Sequence, residues 1–238
     1  MKIACSMIAL NEEQYIGNAI ESIVGYTDVL TLVDGGSTDK TVDLARGICK
    51  KSGIEFILKT KFWNNDFACS RNESLSLVPS DVDWWFRIDA DETFGTKIAN
   101  SINNVLLNIK PEIRAVSIKQ VNLVDVDQKT KTLFYSAGRG GWETHPRFFR
   151  NLRLPDMSSA WRWTGQVHEY CQLLTKQGLV YPENVASWNV SSIHWGWLSQ
   201  ERRSEREDLY EQIPGSHIAK GSLTKRSHTV KTLWKGLL

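Results

Sequence analysis

Between residues 2 and 88 the chain alternates short apolar runs with amphipathic stretches, and this alternation restricts its fold more than any other feature. "KIACSMIA" (2–9) reads as a buried strand, and "EEQYIGNAIESIVG" (12–25) follows with Ile16, Ile20, Ile23 and Val24 at helical spacing. "VLTLV" (29–33) is a β-branched strand that stops at "DGGSTD", where Ser37 or Thr38 can cap a helix running to about residue 51. "IEFIL" (54–58) is a third strand, "DFACSRNESLSLV" (66–78) a third helix and "DWWFRI" (83–88) a fourth strand. Strands alternating with helices imply a parallel, doubly wound sheet. Ligands of such sheets sit beyond the carboxyl ends of the strands. Asp34 and Asp89 both fall at such ends.

The second half changes character. "AVSIKQVNLV" (115–124), "TLFYSA" (132–137) and "PRFFR" (146–150) read as antiparallel strands, followed by a Trp-rich stretch, "SSAWRWTGQVHEY" (158–170), expected to be irregular. "VSSIHWGW" (190–197) is a further strand, and "SQERRSEREDLYEQI" (199–213) a solvated, charge-laced helix. Lys110-Pro111 separates the two halves, which are expected to share one compact domain over 1–212. In "PRFFR", Arg147 and Arg150 are placed on one face with Phe149 opposite, so that one of them can reach phosphate or sugar.

Composition excludes several classes. With 41% apolar and 24% charged residues the chain is an ordinary globular sequence, and no apolar run approaches the roughly 20 residues of a membrane span. "MKIACSMIALNEEQ" lacks the pattern of a signal peptide. Cys5, Cys49, Cys69 and Cys171 are scattered without a CxxC pair, which argues for free thiols in a reducing cytoplasm. No acid follows Glu211, whereas Lys220, Lys225, Arg226, Lys231 and Lys235 do. From Thr224 onward Val230, Leu233, Trp234, Leu237 and Leu238 recur at helical spacing. A basic amphipathic helix in this 213–238 extension suits an anionic membrane surface or nucleic-acid phosphate, or it packs back on its own domain.

Three motifs carry chemistry. "DWWFRIDADETF" (83–94) ends a buried strand on Asp89, Asp91 and Glu92. Carboxylates one residue apart suit Mg²⁺ or Mn²⁺; the alternative is a solvated turn leading into a helix, which their place at strand ends disfavours. "LVDGGSTDKT" (32–41) sets an aspartate beside two glycines, so that a nucleobase N–H can approach Asp34 closely. "GQVHEY" and "IHWGW" add two histidines and one acid on segments expected near the same edge. Ten tryptophans in 238 residues is several times ordinary usage. Most belong to the core, with Trp63, Trp161, Trp163, Trp195 and Trp197 as candidates for stacking on sugar rings. "RIDADET" also fits the Asp-x-Asp-x-Thr nucleophile of haloacid-dehalogenase-type phosphohydrolases, although no downstream aspartate pair completes a metal site.

In this order and spacing, "SMIALNEEQYIGNAIESI", "LVDGGSTDKTVDLA", "WNNDFACSRNESL", "WWFRIDADE", "PRFFRN", "GQVHE" and "IHWG" resemble a family 2 glycosyltransferase, over about residues 3–197 and nearest the lipopolysaccharide-core glucosyltransferase branch. The resemblance implies an α/β GT-A-type nucleotide-diphospho-sugar transferase fold, a mixed, largely parallel sheet flanked by helices. Residues 1–110 would bind the nucleotide sugar and 111–212 would face the acceptor. It further implies inverting transfer from a nucleotide sugar, expected to be a UDP-sugar, with Asp89, Asp91 and His194 at a Mn²⁺ or Mg²⁺ ion on the diphosphate. Asp34 would contact the base, Arg71 the base or ribose, and Ala9 would line the nucleoside pocket. Ala90 and Arg147 join the donor-binding set. Glu169 is the expected general base, with Asp156 and Glu143 as competitors. Gly35 departs from the many relatives that carry a second aspartate there, which leaves Asp34 alone to read the base. A cell-surface glycan or lipid-linked saccharide is the expected acceptor, with a modified base in phage DNA as the alternative. The enzyme would be cytoplasmic, with peripheral contact at the inner face of the membrane through its tail.

Overall fold

The computed structural model describes residues 1–127, 132–136, 143–167, 169–195, 204, 208, 212–213 and 230–232. Strand β1 (Ile3–Ala9) leads through helix α1 (Ile16–Glu21) to β2 (Val29–Asp34), then α2 (Thr41–Ser52), β3 (Glu55–Thr60), α3 (Phe67–Ser76) and β4 (Trp84–Arg87). These four strands run parallel in the order β4-β1-β2-β3, so the chain reverses its direction of travel across the sheet beside β1. That reversal opens a crevice at the carboxyl ends of β1, β2 and β4.

After β4 come the short β5 (Glu92–Phe94), α4 (Thr96–Asn108) and the antiparallel set β6 (Ala115–Asp127), β7 (Thr132–Ser136) and β8 (Glu143–Arg150). β8 lies antiparallel to both β4 and β6 and so joins the two halves into one sheet. β9 (Trp161–Thr164), β10 (Tyr170–Thr175) and β11 (Gly178–Val180) form a separate three-stranded sheet. β12 (Val185–His194) returns parallel to β6 and antiparallel to β5, bringing its last residue to the crevice. β13 (Val230–Thr232) pairs with β7 at the edge.

Several expectations need correction. The amphipathic stretch 12–25 is helical only over α1, because the Ser22 hydroxyl donates to the Ala19 carbonyl and accepts from the Phe94 N–H, tying the helix end to β5. Helix α2 starts later than Ser37 or Thr38: Asp39 accepts from the Thr41 N–H, while the Ser37 hydroxyl and Thr38 N–H bind Asn11. The Trp-rich stretch is regular, since Trp161 and Trp163 point inward while Arg162 and Thr164 are half-exposed, a period of two. β5 and α4 were not expected. The tail is a strand over 230–232, where β-branched Val230 and Thr232 favour extended backbone; the rest of the expected helix, and most of 199–213, lies outside the described residues. Arg147 and Arg150 do share a face, but not by alternation, which separates positions three apart. A bulge at Arg147 turns it to the side of Phe148 and Arg150, with Phe149 opposite.

Two apolar layers cover the sheet. Ile3, Cys5, Met7 and Ala9 face α1, α2 and α4, while Ala4, Trp85, Phe149, Trp161 and Trp163 pack with α3. α3 begins at Asp66, whose carboxylate accepts from the Cys69 N–H, and presents Ala68, Arg71, Ser74 and Leu75 inward. Ser74 meets the Ser6 and Thr31 hydroxyls in a buried network that seats the helix on the sheet. Arg71, one turn earlier, is thereby aimed at the crevice. The four cysteines are free, and among the described residues no helix is long and apolar enough to cross a membrane.

Trp85 links the large sheet to the small one. It is fully buried, stacked on Phe149 at 4.3 Å and 13°, with the edges of Trp161 and Trp163 against it. Trp85→Ala is expected to cost about 3–5 kcal/mol in urea unfolding. Trp85→Phe should cost much less, because a phenyl ring keeps the stacking on Phe149 and leaves a smaller cavity. Equal losses in the two variants would contradict this packing.

Candidate active site

The site grows from three strand ends. Ala9 and Asp34 are register partners at the ends of β1 and β2, and the Gly35 N–H donates to the Ala9 carbonyl at 2.8 Å. Asp34 is buried and accepts from the Gly36 and Ser37 N–H groups, both at 3.1 Å. Its carboxylate therefore shapes its own turn, with lone-pair capacity left for a further donor. Gly36 has φ +97°, and a Cβ there would lie 2.7 Å from the exposed Phe62 ring, so this position requires glycine.

The end of β4 carries the charge. Arg71 donates through Nη2 to Asp89 at 2.7 Å and through Nε to Glu169. Arg87, the last residue of β4, stands 3.6 Å from Asp89 and 3.9 Å from Glu169. Both guanidinium groups lie over the Trp163 ring, at 5.5 and 5.3 Å from its centroid. Burial opposes charge on Asp89, but Arg71, Arg87 and Arg147 outweigh it and hold the carboxyl well below its usual range. Glu169 behaves alike: burial raises its pKa, and Arg71 and Arg87 lower it further than burial raises it. Burial also opposes the charge of Arg71, but Asp89 and Glu169 hold its pKa above the ordinary value. Arg87 moves the other way, pushed down to about 10 by burial and by the Arg147 and Arg71 charges.

A second pair lies across the loop after β4. His194 Nε2 is 3.3 Å from Asp91 Oδ2, its Nδ1 is 2.9 Å from Asn122 Oδ1, and the Asp91 carbonyl accepts from the Trp195 N–H. An imidazole fixed through one nitrogen, with the other beside a carboxylate, is the arrangement that orients a metal-ligating histidine. Among the described residues no three His, Cys, Asp or Glu side chains form a metal cage. The donor set fits an open site for a hard divalent ion, completed by substrate oxygens and water.

The structure separates the other expected residues by role. Arg71 is committed to the β4 end rather than to a base or ribose near Asp34. Arg147 does not reach toward a ligand: it is fully buried, with Nη1 and Nη2 on Glu92 at 2.8 and 2.7 Å and Nη2 also on Gln120. Glu92 in turn accepts from the Asp89 N–H, so this pair braces the "DAD" loop. Ala90 packs into the apolar layer and anchors that loop. Asp156 is exposed and binds Ser158 in its own turn, away from the cluster. Trp161 and Trp163 are core, and Trp195 donates to Thr93. His168, Trp197 and the Glu143 side chain lie outside the described residues.

Arg87, Glu92 and Asn122 were missed. A charged residue closing an apolar strand was the available signal for Arg87, and the acid after "DAD" for Glu92; Asn122 carried none. Behind Glu169 lies a cavity of about 180 Å³ whose lining includes Arg87, His145, Tyr170 and Tyr181.

The sequence profile described as "Glycosyl transferase family 2" matches residues 5–156. The lipopolysaccharide core biosynthesis glycosyltransferase LpsC of Rhizobium meliloti (strain 1021) is 26% identical over 216 residues, 90% of this chain and 70% of that protein. The SPbeta prophage-derived glycosyltransferase SunS of Bacillus subtilis (strain 168) is 30% identical over 103 residues, 43% of this chain but only 23% of its own length. Among solved structures, S. aureus TarS 1–349 superposes with a TM-score of 0.55 at 12% identity, covering 94% of this chain and 68% of that one. This likeness supports a GT-A-type mixed sheet flanked by helices.

Asp89 sets a pH dependence. Its folded pKa is lowered, so below about pH 5 the unfolded chain binds more protons than the native one, and stability falls as pH falls. Urea unfolding followed from pH 6 to pH 3 is expected to show this decline in the wild type and a shallower one in Asp89→Asn. Identical slopes would contradict the Arg71 pairing.

Proposed function

The chain belongs to glycosyltransferase family 2, and from this membership we propose that it transfers a sugar from a UDP-sugar to an acceptor hydroxyl with inversion at the anomeric carbon. One observation carries the reading: Asp89 and Glu169, far apart in sequence, are bridged by the single buried guanidinium of Arg71 at the carboxyl end of β4. Acceptor activation needs a carboxylate to take a proton, and leaving-group stabilisation needs one that helps to hold a cation; the bridge brings a candidate for each to one place. The phosphohydrolase reading of "RIDADET" falls with the family membership.

In the proposed reaction Ala9 and Asp34 border the nucleoside, and the diphosphate lies toward Asp89 and Asp91. The acceptor oxygen bonds to the anomeric carbon as the bond to the diphosphate oxygen breaks, and the acceptor proton passes to Glu169. Arg71 and Arg87 keep Glu169 ionised, which a base requires, while lowering its basicity. Proton transfer then follows rather than precedes bond formation to carbon. Asp91 and His194, with Asp89, would hold Mn²⁺ or Mg²⁺, which supplies positive charge against the leaving diphosphate. LpsC carries lipopolysaccharide core biosynthesis in its name, which supports a glycan or lipid-linked saccharide as acceptor. No comparison adds support for a DNA acceptor, whose basis is the basic tail, most of which lies outside the described residues.

The primary test is UDP release from a panel of UDP-sugars, with Mn²⁺ and with EDTA. Metal-dependent release is expected for at least one sugar; none from any would reject the reading. Asp91→Asn should abolish that activity in a protein that unfolds like the wild type. Glu169→Gln preserves shape but takes no proton, and should lower turnover by roughly 10²–10⁴-fold with UDP affinity unchanged by calorimetry. Wild-type turnover in Glu169→Gln would assign the base elsewhere.

A further inference from the structure

Arg87 is the one member of the charged cluster whose guanidinium is left without a hydrogen bond among the described residues. Its Nε is buried with no partner, and its nearest anions are the carboxylates of Asp89 and Glu169 at 3.6 and 3.9 Å, too far for good geometry. A buried arginine in this state has its desolvation cost only partly offset, by the two distant carboxylates and the Trp163 ring, and its planar fork matches carboxylate or phosphate better than any neutral group. Its side chain is only 13% exposed and lines the cavity behind Glu169.

That cavity is not an extension of the donor crevice. Apart from Arg87 its walls come from the second half of the chain, from His145 and Pro146 of β8, Tyr170 of β10 and the segment around Tyr181, with none from the loops after β1 and β2. Glu169 forms part of its wall, so a group seated there lies next to the carboxylate assigned to take the acceptor proton. Tyr170 and Tyr181 are 56% and 60% exposed and meet edge to face at 5.9 Å, an unusually open aromatic pair that offers a stacking surface at the rim. A volume of about 180 Å³ is below the ~300 Å³ of the smallest drug-sized pockets, and suits one terminal residue of a larger molecule.

We propose that this cavity is the acceptor subsite, and that it selects an acceptor whose terminal residue bears an anionic group, a carboxylate or a phosphate, held by Arg87. The proposal rests on the sugar-transfer reading, and its test separates the two. Wild-type protein is saturated with UDP and Mn²⁺, so that the donor phosphate site is filled. Millimolar glucuronate, glucose 6-phosphate and glucose are then titrated and binding is read by calorimetry. Both anionic probes are expected to bind more tightly than glucose by about 10- to 100-fold, the worth of a hydrogen bond to a charged group. Arg87→Gln should erase that preference while binding UDP within about threefold of the wild type, a margin below 1 kcal/mol. A preference for one anionic probe alone identifies which group the subsite reads. Equal affinity for glucose and both anions in the wild type overturns the proposal without any variant. So does a collapse of UDP affinity in Arg87→Gln, which would place Arg87 on the donor. Failure of the wild type to bind UDP at all would instead reject the sugar-transfer reading. Should Arg87→Gln not fold, Arg87→Lys keeps the charge without the fork and is expected to retain a reduced preference; full retention of affinity would contradict a two-point grip.

Discussion

The contact on which the site depends is the Arg71 guanidinium between Asp89 and Glu169. It ties a helix of the first half, the loop after β4 and the approach to β10 into one body. Removing this cation would leave the two carboxylates with only Arg87, at the longer range of 3.6 and 3.9 Å, to balance their charge. Arg71 is in turn aimed by quieter chemistry. Asp66 fixes where α3 starts, and the hydroxyls of Ser6, Thr31 and Ser74 set how closely it approaches the sheet. The small side chains there leave room for an arginine between helix and strand one turn earlier in α3.

Around this bridge the acids are sorted by partner rather than by position in the sequence. Asp89, Asp91 and Glu92 are nearly adjacent, yet each meets a different group: Asp89 the Arg71 cation, Asp91 the His194 ring and Glu92 the Arg147 fork. Glu92 and Arg147 are both fully buried, and this pair does the bracing. It reaches Arg147 because a bulge in β8 rotates that residue inward, and it holds the loop through the Asp89 N–H. The bracing thus falls to Glu92, while Asp89 serves the Arg71 bridge and Asp91 faces His194. The carboxylate with the most perfect geometry in the "DADE" run is the one least suited to meet a ligand.

Much of this was legible in the sequence, where local chemistry decides local structure. The four parallel strands and the helix that starts at Asp66 followed from the alternation of apolar runs and amphipathic stretches, and the strand ends at Asp34 and Asp89 followed from those. What periodicity could not give was anything set by long-range pairing. The Trp-rich stretch is a sheet because Trp161 and Trp163 find Trp85 and Phe149, and its short alternation was hidden among glycine and polar neighbours. Arg147 and Arg150 share a face for a reason that regular alternation denies. Arg71 carried a charge suitable for nucleotide, and only the fold shows that its partners are Asp89 and Glu169. Sequence reading finds ionisable groups at strand ends well, and assigns them to one another poorly, because pairing depends on which loops return to the same edge.

The charge balance of the cluster bears on how a nucleotide sugar is accommodated. Two arginines face two carboxylates at the end of β4, so the resting site is close to neutral and its strongest hydrogen bonds are already made. A diphosphate arriving there adds negative charge to a region that holds Asp91 as well. Either a cation accompanies it, or arginine contacts are transferred from carboxylate to phosphate. The first course leaves Arg71 on Glu169 and keeps that acid a weak base; the second releases Glu169 and makes it a stronger one. Arg87, held at longer range from both carboxylates, lines the cavity behind Glu169 rather than the crevice at the ends of β1 and β2. A metal beside Asp91 and His194 would meet the added charge and let Arg71 stay where the fold needs it. The structural bridge and the chemistry then draw on different cations, and neither has to be broken for the other to operate.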